Sequence, residues 1–141
     1  MKIAYVAGVK GAYIQTLMDK SNEEFNKGNL EEAVFLLEQA WGELPGEKVT
    51  YDESFLIIWR ILRMSILLND VKSMKKWVDK IFVADPERGD TGERELWAGK
   101  VAYEVGDLSK AKEYLNIANK KSKGRCFSPK DGKYLDFIQE K

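Results

Sequence analysis

The chain has 141 residues, of which 44% are hydrophobic and 33% charged, and its 23 basic and 23 acidic side chains give a formal net charge of zero. This composition is typical of one soluble globular domain, and the balanced charge gives no general attraction to nucleic acid or to a membrane surface. Because the sequence contains no histidine, a histidine base, a Ser–His or Cys–His nucleophile pair and a histidine-ligated zinc site are excluded.

The other bulk properties suit a cytoplasmic protein, and carboxylates, Lys, Tyr and Cys remain as candidate catalytic groups. No apolar run is long enough to span a bilayer, so we expect no membrane partner. The single cysteine, Cys126, cannot form an internal disulfide and suits a reducing compartment. Because the sequence lacks histidine and the repeats described next predict a binding surface, we expect a non-enzymatic protein with no catalytic residues, no metal and no cofactor.

A six-residue phrase occurs three times and organises the chain. It reads GNLEEA at 28–33, NDVKSM at 69–74 and GDLSKA at 106–111. Each copy has a small turn residue, then a helix-capping Asn or Asp (Asn29, Asp70 and Asp107), and then a segment with apolar residues at helical spacing. A regular repeat of this kind predicts helix pairs that stack on one another.

The helical periodicity predicts two helices in each unit, one before and one after the phrase. The first unit covers 13–45, with helix 13–27 and then a helix that ends before Pro45. The second covers 51–86, with the very apolar helix 51–68 and a helix that ends before Pro86. The third covers 92–121, with helix 93–105 and a helix that ends near Gly124.

A last helix and an ambiguous first segment complete the chain. Ser128 and Pro129 are typical of a helix start, so the sequence predicts a capping helix over 129–140. The first residues could form a short strand, the start of the first helix or a loose tail. Residues 8–11 (GVKG) resemble part of a phosphate loop but lack its full pattern.

The residues around the phrase resemble the tetratricopeptide repeat. The first unit carries the signature residues Gly28, Ala33, Leu37, Ala40 and Pro45, and the third carries Gly99, Gly106, Ala111, Leu115 and Ala118. The second unit matches weakly, and the spacing departs from the family's 34 residues, because equivalent positions 33, 74 and 111 are 41 and 37 residues apart. The resemblance implies an all-α fold, a right-handed stack of three antiparallel helix pairs plus the capping helix, in a single domain over 1–141.

The second half is also similar to a bacterial subgroup of small stand-alone tetratricopeptide proteins. The resemblance is carried by 88–95 (RGDTGERE), 99–104 (GKVAYE), 122–127 (SKGRCF) and 133–137 (KYLDF). Many members resemble immunity proteins that accompany secreted or contact-delivered toxins in contact-dependent inhibition. The resemblance therefore implies a protein partner, a cognate toxin domain that this chain would bind and neutralise.

The resemblance also implies that the first helix of each pair lines the concave face of the stack. On that basis the partner-binding residues are expected to form an aromatic and cationic patch, the residue types that dominate interface hot spots. We expect Trp41 and Trp77, on second helices, to be in the core. The expected partner-binding residues are Trp59, Arg60, Arg63, Glu93, Trp97, Lys100, Tyr103 and Glu104.

Charge is distributed unevenly and leaves two alternatives open. Residues 19–53 hold ten acids and three bases, whereas 109–133 hold eight bases and two acids. The acidic end could dock a basic toxin domain. The first alternative function is a scaffold or co-chaperone that holds a peptide in the concave groove. The second is a nucleic-acid-linked regulator that uses the basic C-terminal end, although that run has no recognised reading motif.

Overall fold

The computed structural model describes residues 8–46, 48, 51–84 and 91–139. These residues form seven α-helices, so the expected all-α class is confirmed. Short 3-10 helices extend α4 (Asp79–Phe82) and precede α7 (Pro129–Asp131). The α-helices are α1 (Gly8–Asn26), α2 (Leu30–Glu43), α3 (Asp52–Leu68), α4 (Val71–Val78), α5 (Glu93–Glu104), α6 (Leu108–Ser122) and α7 (Gly132–Gln139).

The three copies of the phrase each start a helix after a tight turn. Gly28, Asn69 and Gly106 have φ values of +85°, +55° and +89°, which is the left-handed region that glycine and asparagine tolerate best. The side chains of Asp70 and Asp107 accept hydrogen bonds from backbone N–H groups three residues later, so they cap α4 and α6 as predicted.

The expected cap at Asn29 is wrong. Its side chain makes no capping hydrogen bond, because its amide instead donates to the Glu24 carboxylate at 2.7 Å. Asn29 still occupies the N-cap position of α2, where its carbonyl oxygen accepts a hydrogen bond from the N–H of Ala33 at 3.0 Å, and Glu31 and Glu32 in the first turn complement the helix dipole.

Several predicted boundaries also need correction. Helix α1 begins at Gly8 and not at residue 13, so the fragment at 8–11 that resembles a phosphate loop is the first turn of a helix. The expected capping helix starts as a 3-10 turn and becomes α-helical only at Gly132. The possible strand near residues 3–6 and the stop at Pro86 lie outside the described residues.

Neighbouring helices pack in chain order, and α3 also contacts α5. The larger core cluster lies between α1 and α5, and the fully buried face of α3 supplies much of it. A second cluster joins α5, α6 and α7 around Leu96, Leu115 and Tyr134. Trp77 is 2% exposed, as expected, and Trp41 is half-buried against it with ring centroids 5.3 Å apart. Trp59 and Trp97, from the expected partner-binding patch, lie on the side of α3 and α5 that faces away from this core.

Helices α5 and α6 approach each other closely at Gly99 in α5. A Cβ atom at this position would lie 2.7 Å from Cγ of Leu115 in α6, a contact that real Cβ atoms essentially never show. Ala118, also in α6, is fully buried one turn further along. The absence of a side chain at 99 therefore sets how closely α5 and α6 pack.

Candidate functional site

A groove of about 760 Å³ opens over α3 and α5. Its size lies within the roughly 300–1,000 Å³ range of binding pockets. The walls come from the end of α1, from α3 and α5, and from the segment that leads into α7. The groove is lined by Phe25, Phe55, Leu56, Trp59, Arg63, Ile66, Leu67, Glu93, Leu96, Trp97, Lys100, Cys126, Ser128, Lys130, Asp131, Lys133 and Tyr134.

Helical spacing places the α3 side chains on this face. Trp59, Arg63 and Leu67 are four residues apart, so they lie one above another along the helix. The opposite face of α3 is fully buried in the core, for example at Ile57 and Ile61. Leu67 is 60% exposed although it is a large aliphatic residue, so the groove has apolar surface that no part of the described chain covers.

The two groove tryptophans stack across the boundary between α3 and α5. The rings of Trp59 and Trp97 have centroids 5.8 Å apart and an interplanar angle of 28°. Both side chains are half-buried, so each packs in the fold and still presents an edge to the groove. An aromatic pair of this kind contributes about 0.5–1.5 kcal/mol beyond the area it buries. The contact joins α3 to α5 in the wall of the groove.

Arg63 lies against aromatic rings and next to a like charge. Its guanidinium carbon is 4.3 Å from the ring centroid of Phe25 and 5.0 Å from that of Trp59. Its Nε is buried and has no hydrogen-bond partner among the described residues. Burial lowers the pKa of Arg63, and the neighbouring charge of Arg60 lowers the pKa further.

Arg60 belongs to the expected patch but does not line the groove. Its guanidinium carbon lies 5.8 Å from the ring centroid of Trp59. Burial lowers the pKa of Arg60, and the charge of Asp19 acts in the opposite direction. Arg60 therefore adds positive potential beside the groove without forming its wall.

Lys100 was expected as a cation that faces a partner, but the structure buries it. Its Nζ lies 2.8 Å from Oδ1 of Asp131, and each side chain is 9% exposed. The same ammonium lies 4.2 Å from the ring centroid of Trp97. Asp131 in turn accepts a hydrogen bond from the backbone N–H of Ser128 at 2.9 Å. The ion pair between Lys100 and Asp131 therefore attaches the segment before α7, which forms one wall of the groove, to α5.

Tyr103 and Glu104 do not line the groove and lie instead at the contact between α5 and α7. The ring of Tyr103 meets those of Tyr134 and Phe137 edge to face, with centroids 5.4 and 5.2 Å away. Glu104 accepts a hydrogen bond from the Tyr134 hydroxyl at 2.9 Å and pairs with Lys133. Of the eight expected residues, five line the groove: Trp59, Arg63, Glu93, Trp97 and Lys100.

Sequence reasoning missed the parts of the groove that come from its two ends. Phe25, at the end of α1, and Lys130, beside α7, line it although neither was expected to face a partner. The partial apolar spacing of Ile14, Leu17, Met18 and Phe25 predicts one face of α1 but does not indicate that Phe25 would reach α3. Ser128 and Pro129 predict a helix start but do not indicate that this segment would form one wall of the groove.

Cys126 also lines the groove, with its thiol in a protected setting. Its Sγ lies 3.1 Å from the hydroxyl of Ser122 and 3.7 Å from the carbonyl oxygen of Ala118. Burial raises the pKa of the Cys126 thiol, and this outweighs the hydrogen bond from Ser122 and the charge of Lys100, which act to lower it. The thiol is therefore held in its unreactive protonated form, in keeping with a structural role.

Comparison of the chain with protein-family models, with curated proteins and with solved structures finds no match. Within the described ranges, no three His, Cys, Asp or Glu side chains are grouped so that they could hold a metal ion. None of the described helices combines the length and apolar character needed to cross a bilayer. The groove is thus the feature on which a functional proposal has to rest.

Proposed function

We propose that this chain is a non-enzymatic protein that binds a partner protein in the groove between α3, α5 and α7. The single observation that carries the proposal is the stacked pair Trp59 and Trp97, flanked by Arg63 and by the exposed Leu67. Trp and Arg at the centre of an interface each contribute about 2 kcal/mol or more when they are hot spots. Aromatic residues and arginine are enriched in protein interfaces relative to the rest of the surface, and the groove wall contains both.

We further propose that the helices form a stack similar to tetratricopeptide repeats, with three pairs and a cap. The left-handed turns at 28, 69 and 106 support this arrangement because they recur at the same place in each unit. The buried small residues Ala33, Ala40, Ala111 and Ala118 support it as well, since they stand at the signature positions. In such a stack the first helices of the pairs line the concave face, which is where α3 and α5 contribute to the groove.

The more specific form of the proposal is an immunity protein that neutralises a cognate bacterial toxin domain. It is motivated by the resemblance of the second half to that bacterial subgroup and by the acidic first unit. In that unit Glu23, Glu31 and Glu32 are exposed and could attract a basic toxin domain. The groove would then supply the specific contacts and the acidic helices would speed the encounter.

The groove also favours a second candidate, a scaffold that holds a peptide segment of its partner. Growth protection distinguishes the two. The candidate toxin is the product of a neighbouring gene. It is expressed in a sensitive bacterium, once alone and once together with this chain, and growth is compared. An immunity protein restores growth and forms a complex with the toxin domain. If no neighbouring product is toxic and no growth is restored, the immunity form is wrong and the scaffold form is favoured.

A further inference from the structure

The positively charged side chains around the groove differ in whether the fold already neutralises them. Lys100 is paired with Asp131 at 2.8 Å, and Lys133 is paired with Glu104. Among the described residues, no ion pair involves Arg63, and its buried Nε has no hydrogen-bond partner. Arg63 therefore holds a positive charge in the groove wall that no carboxylate of the described chain balances.

The surroundings of Arg63 make this charge costly in the free protein. A polar N–H group that is buried without a partner lowers the stability of the free protein, because it has lost its hydrogen bonds to water. Here the guanidinium also lies between two aromatic rings and beside the like charge of Arg60. The rings hold the planar group in place by cation–π contacts, which keeps its N–H fork oriented. A group that accepts hydrogen bonds and carries negative charge would relieve both costs.

We infer that Arg63 binds the carboxylate of an acidic side chain in the partner segment that occupies the groove. This inference rests on the proposed function and adds the chemistry of the partner. A guanidinium binds a carboxylate through two parallel N–H···O bonds, a geometry that a lysine cannot reproduce. Leu67 lies one helical turn from Arg63 and is 60% exposed, so it provides the apolar contact for a neighbouring side chain. The preferred segment therefore carries an Asp or Glu next to an aliphatic or aromatic residue.

The test uses a phage-displayed library of random linear peptides, each joined to the coat protein through its C-terminus. In this format every carboxylate in the peptide comes from a side chain, because no free C-terminus is present. The library is selected on the wild-type protein, and the enriched peptides are measured against Arg63→Gln and Arg63→Lys. Lys112→Gln removes one positive charge from an exposed position on α6 and serves as the matched control. Far-ultraviolet circular dichroism and thermal melting establish that each variant is folded.

The expected result is that enriched peptides contain Asp or Glu beside an apolar residue. Arg63→Gln should weaken their binding about tenfold to a hundredfold, as is typical of a lost charge-assisted hydrogen bond. Arg63→Lys should recover only part of this loss, and Lys112→Gln should change the affinity little. Replacing the peptide's acid with its amide should weaken binding to the wild-type protein and have little further effect on Arg63→Gln.

The contrary outcomes separate this inference from the proposed function. Peptides that lack acids, or whose acid is not coupled to Arg63, would overturn the inference; if they still lose affinity in Leu67→Ser, the groove remains a binding site. Peptides that bind equally well to Arg63→Gln and Leu67→Ser would overturn both proposals. If the folded protein enriches no peptide, the inference that it binds an acidic linear segment is wrong.

Discussion

The Nζ of Lys100 and the Oδ1 of Asp131 lie 2.8 Å apart, and this buried ion pair joins α5 to the segment that precedes α7. The pair has a structural consequence because that segment forms one wall of the groove. Taking two charges out of water is costly, but removing only one partner costs more, because the other charge is left buried and unpaired. The pair therefore determines whether the C-terminal wall stays in place.

We predict that Lys100→Met lowers the free energy of unfolding by about 3 kcal/mol. Adding Asp131→Asn to this variant should restore part of the loss, because the neutral amide removes the unpaired charge. Lys133→Met is the control, since Lys133 is 54% exposed in its pair with Glu104 and a surface pair contributes at most about 1 kcal/mol. Urea denaturation measures all of these variants. Equal losses for Lys100→Met and Lys133→Met would contradict this account of the wall.

We predict that Gly99→Ala destabilises the protein by about 1–3 kcal/mol, the usual cost of overpacking a close contact. The added methyl group would meet the fully buried Leu115, and this clash outweighs the roughly 1 kcal/mol gain in helix propensity from glycine to alanine. Gly42 provides the matched control, because it is helical and exposed and its Cβ would meet no atom within 4 Å.

Thermal and chemical denaturation should therefore give opposite signs for the two alanine variants. Gly42→Ala is expected to stabilise the protein by up to about 1 kcal/mol, through helix propensity alone. A stabilising Gly99→Ala would show that α5 and α6 do not approach as closely as the structure indicates.

The stability of the protein should fall at alkaline pH partly because of Tyr134. Burial raises the pKa of the Tyr134 hydroxyl, and its hydrogen bond to Glu104 raises the pKa further. A raised pKa in the folded state means that the unfolded tyrosine ionises first, near pH 10. The contribution of Tyr134 is therefore fully present below about pH 10 and is lost as the pH rises above that value.

Urea denaturation between about pH 8 and 11 tests this effect. Tyr134→Phe should be less stable at neutral pH, since it lacks the bond to Glu104, but should lose less stability than the wild type as the pH rises. Tyr13→Phe, at an exposed position, should keep the wild-type dependence on pH. A Tyr134→Phe protein with an unchanged alkaline decline would refute the assignment.

The sequence predicted most of the helices because their periodicity is strong and their ends are marked. The phrase at 28–33 and 106–111 located the turns, and Asp70 and Asp107 cap α4 and α6 as expected. Local pattern was less informative at Asn29, whose side chain can bond either to its own helix or to Glu24. It also did not indicate that helix α1 begins at Gly8, since few apolar residues mark its first turn.

The site was predicted in part, for a reason that the structure makes clear. The resemblance to tetratricopeptide repeats predicts that Trp59, Arg63 and Trp97 share one concave face, and the structure brings these three side chains together. Helical spacing does not indicate that Lys100 forms a buried ion pair with Asp131, because the two residues are 31 positions apart in the sequence. Contacts between distant segments depend on how the helices pack, and helical periodicity carries no information about them.

The most direct test of the central claim is the affinity of an identified partner for the wild-type protein, Leu67→Ser and Val83→Ser, measured by isothermal titration calorimetry. Leu67 and Val83 are similarly exposed, at 60% and 56%, but only Leu67 lines the groove. The account predicts that Leu67→Ser weakens binding about tenfold, because burying a leucine contributes roughly 1.5–3 kcal/mol, and that Val83→Ser binds like the wild type. Equal affinities for the wild type and Leu67→Ser would contradict it.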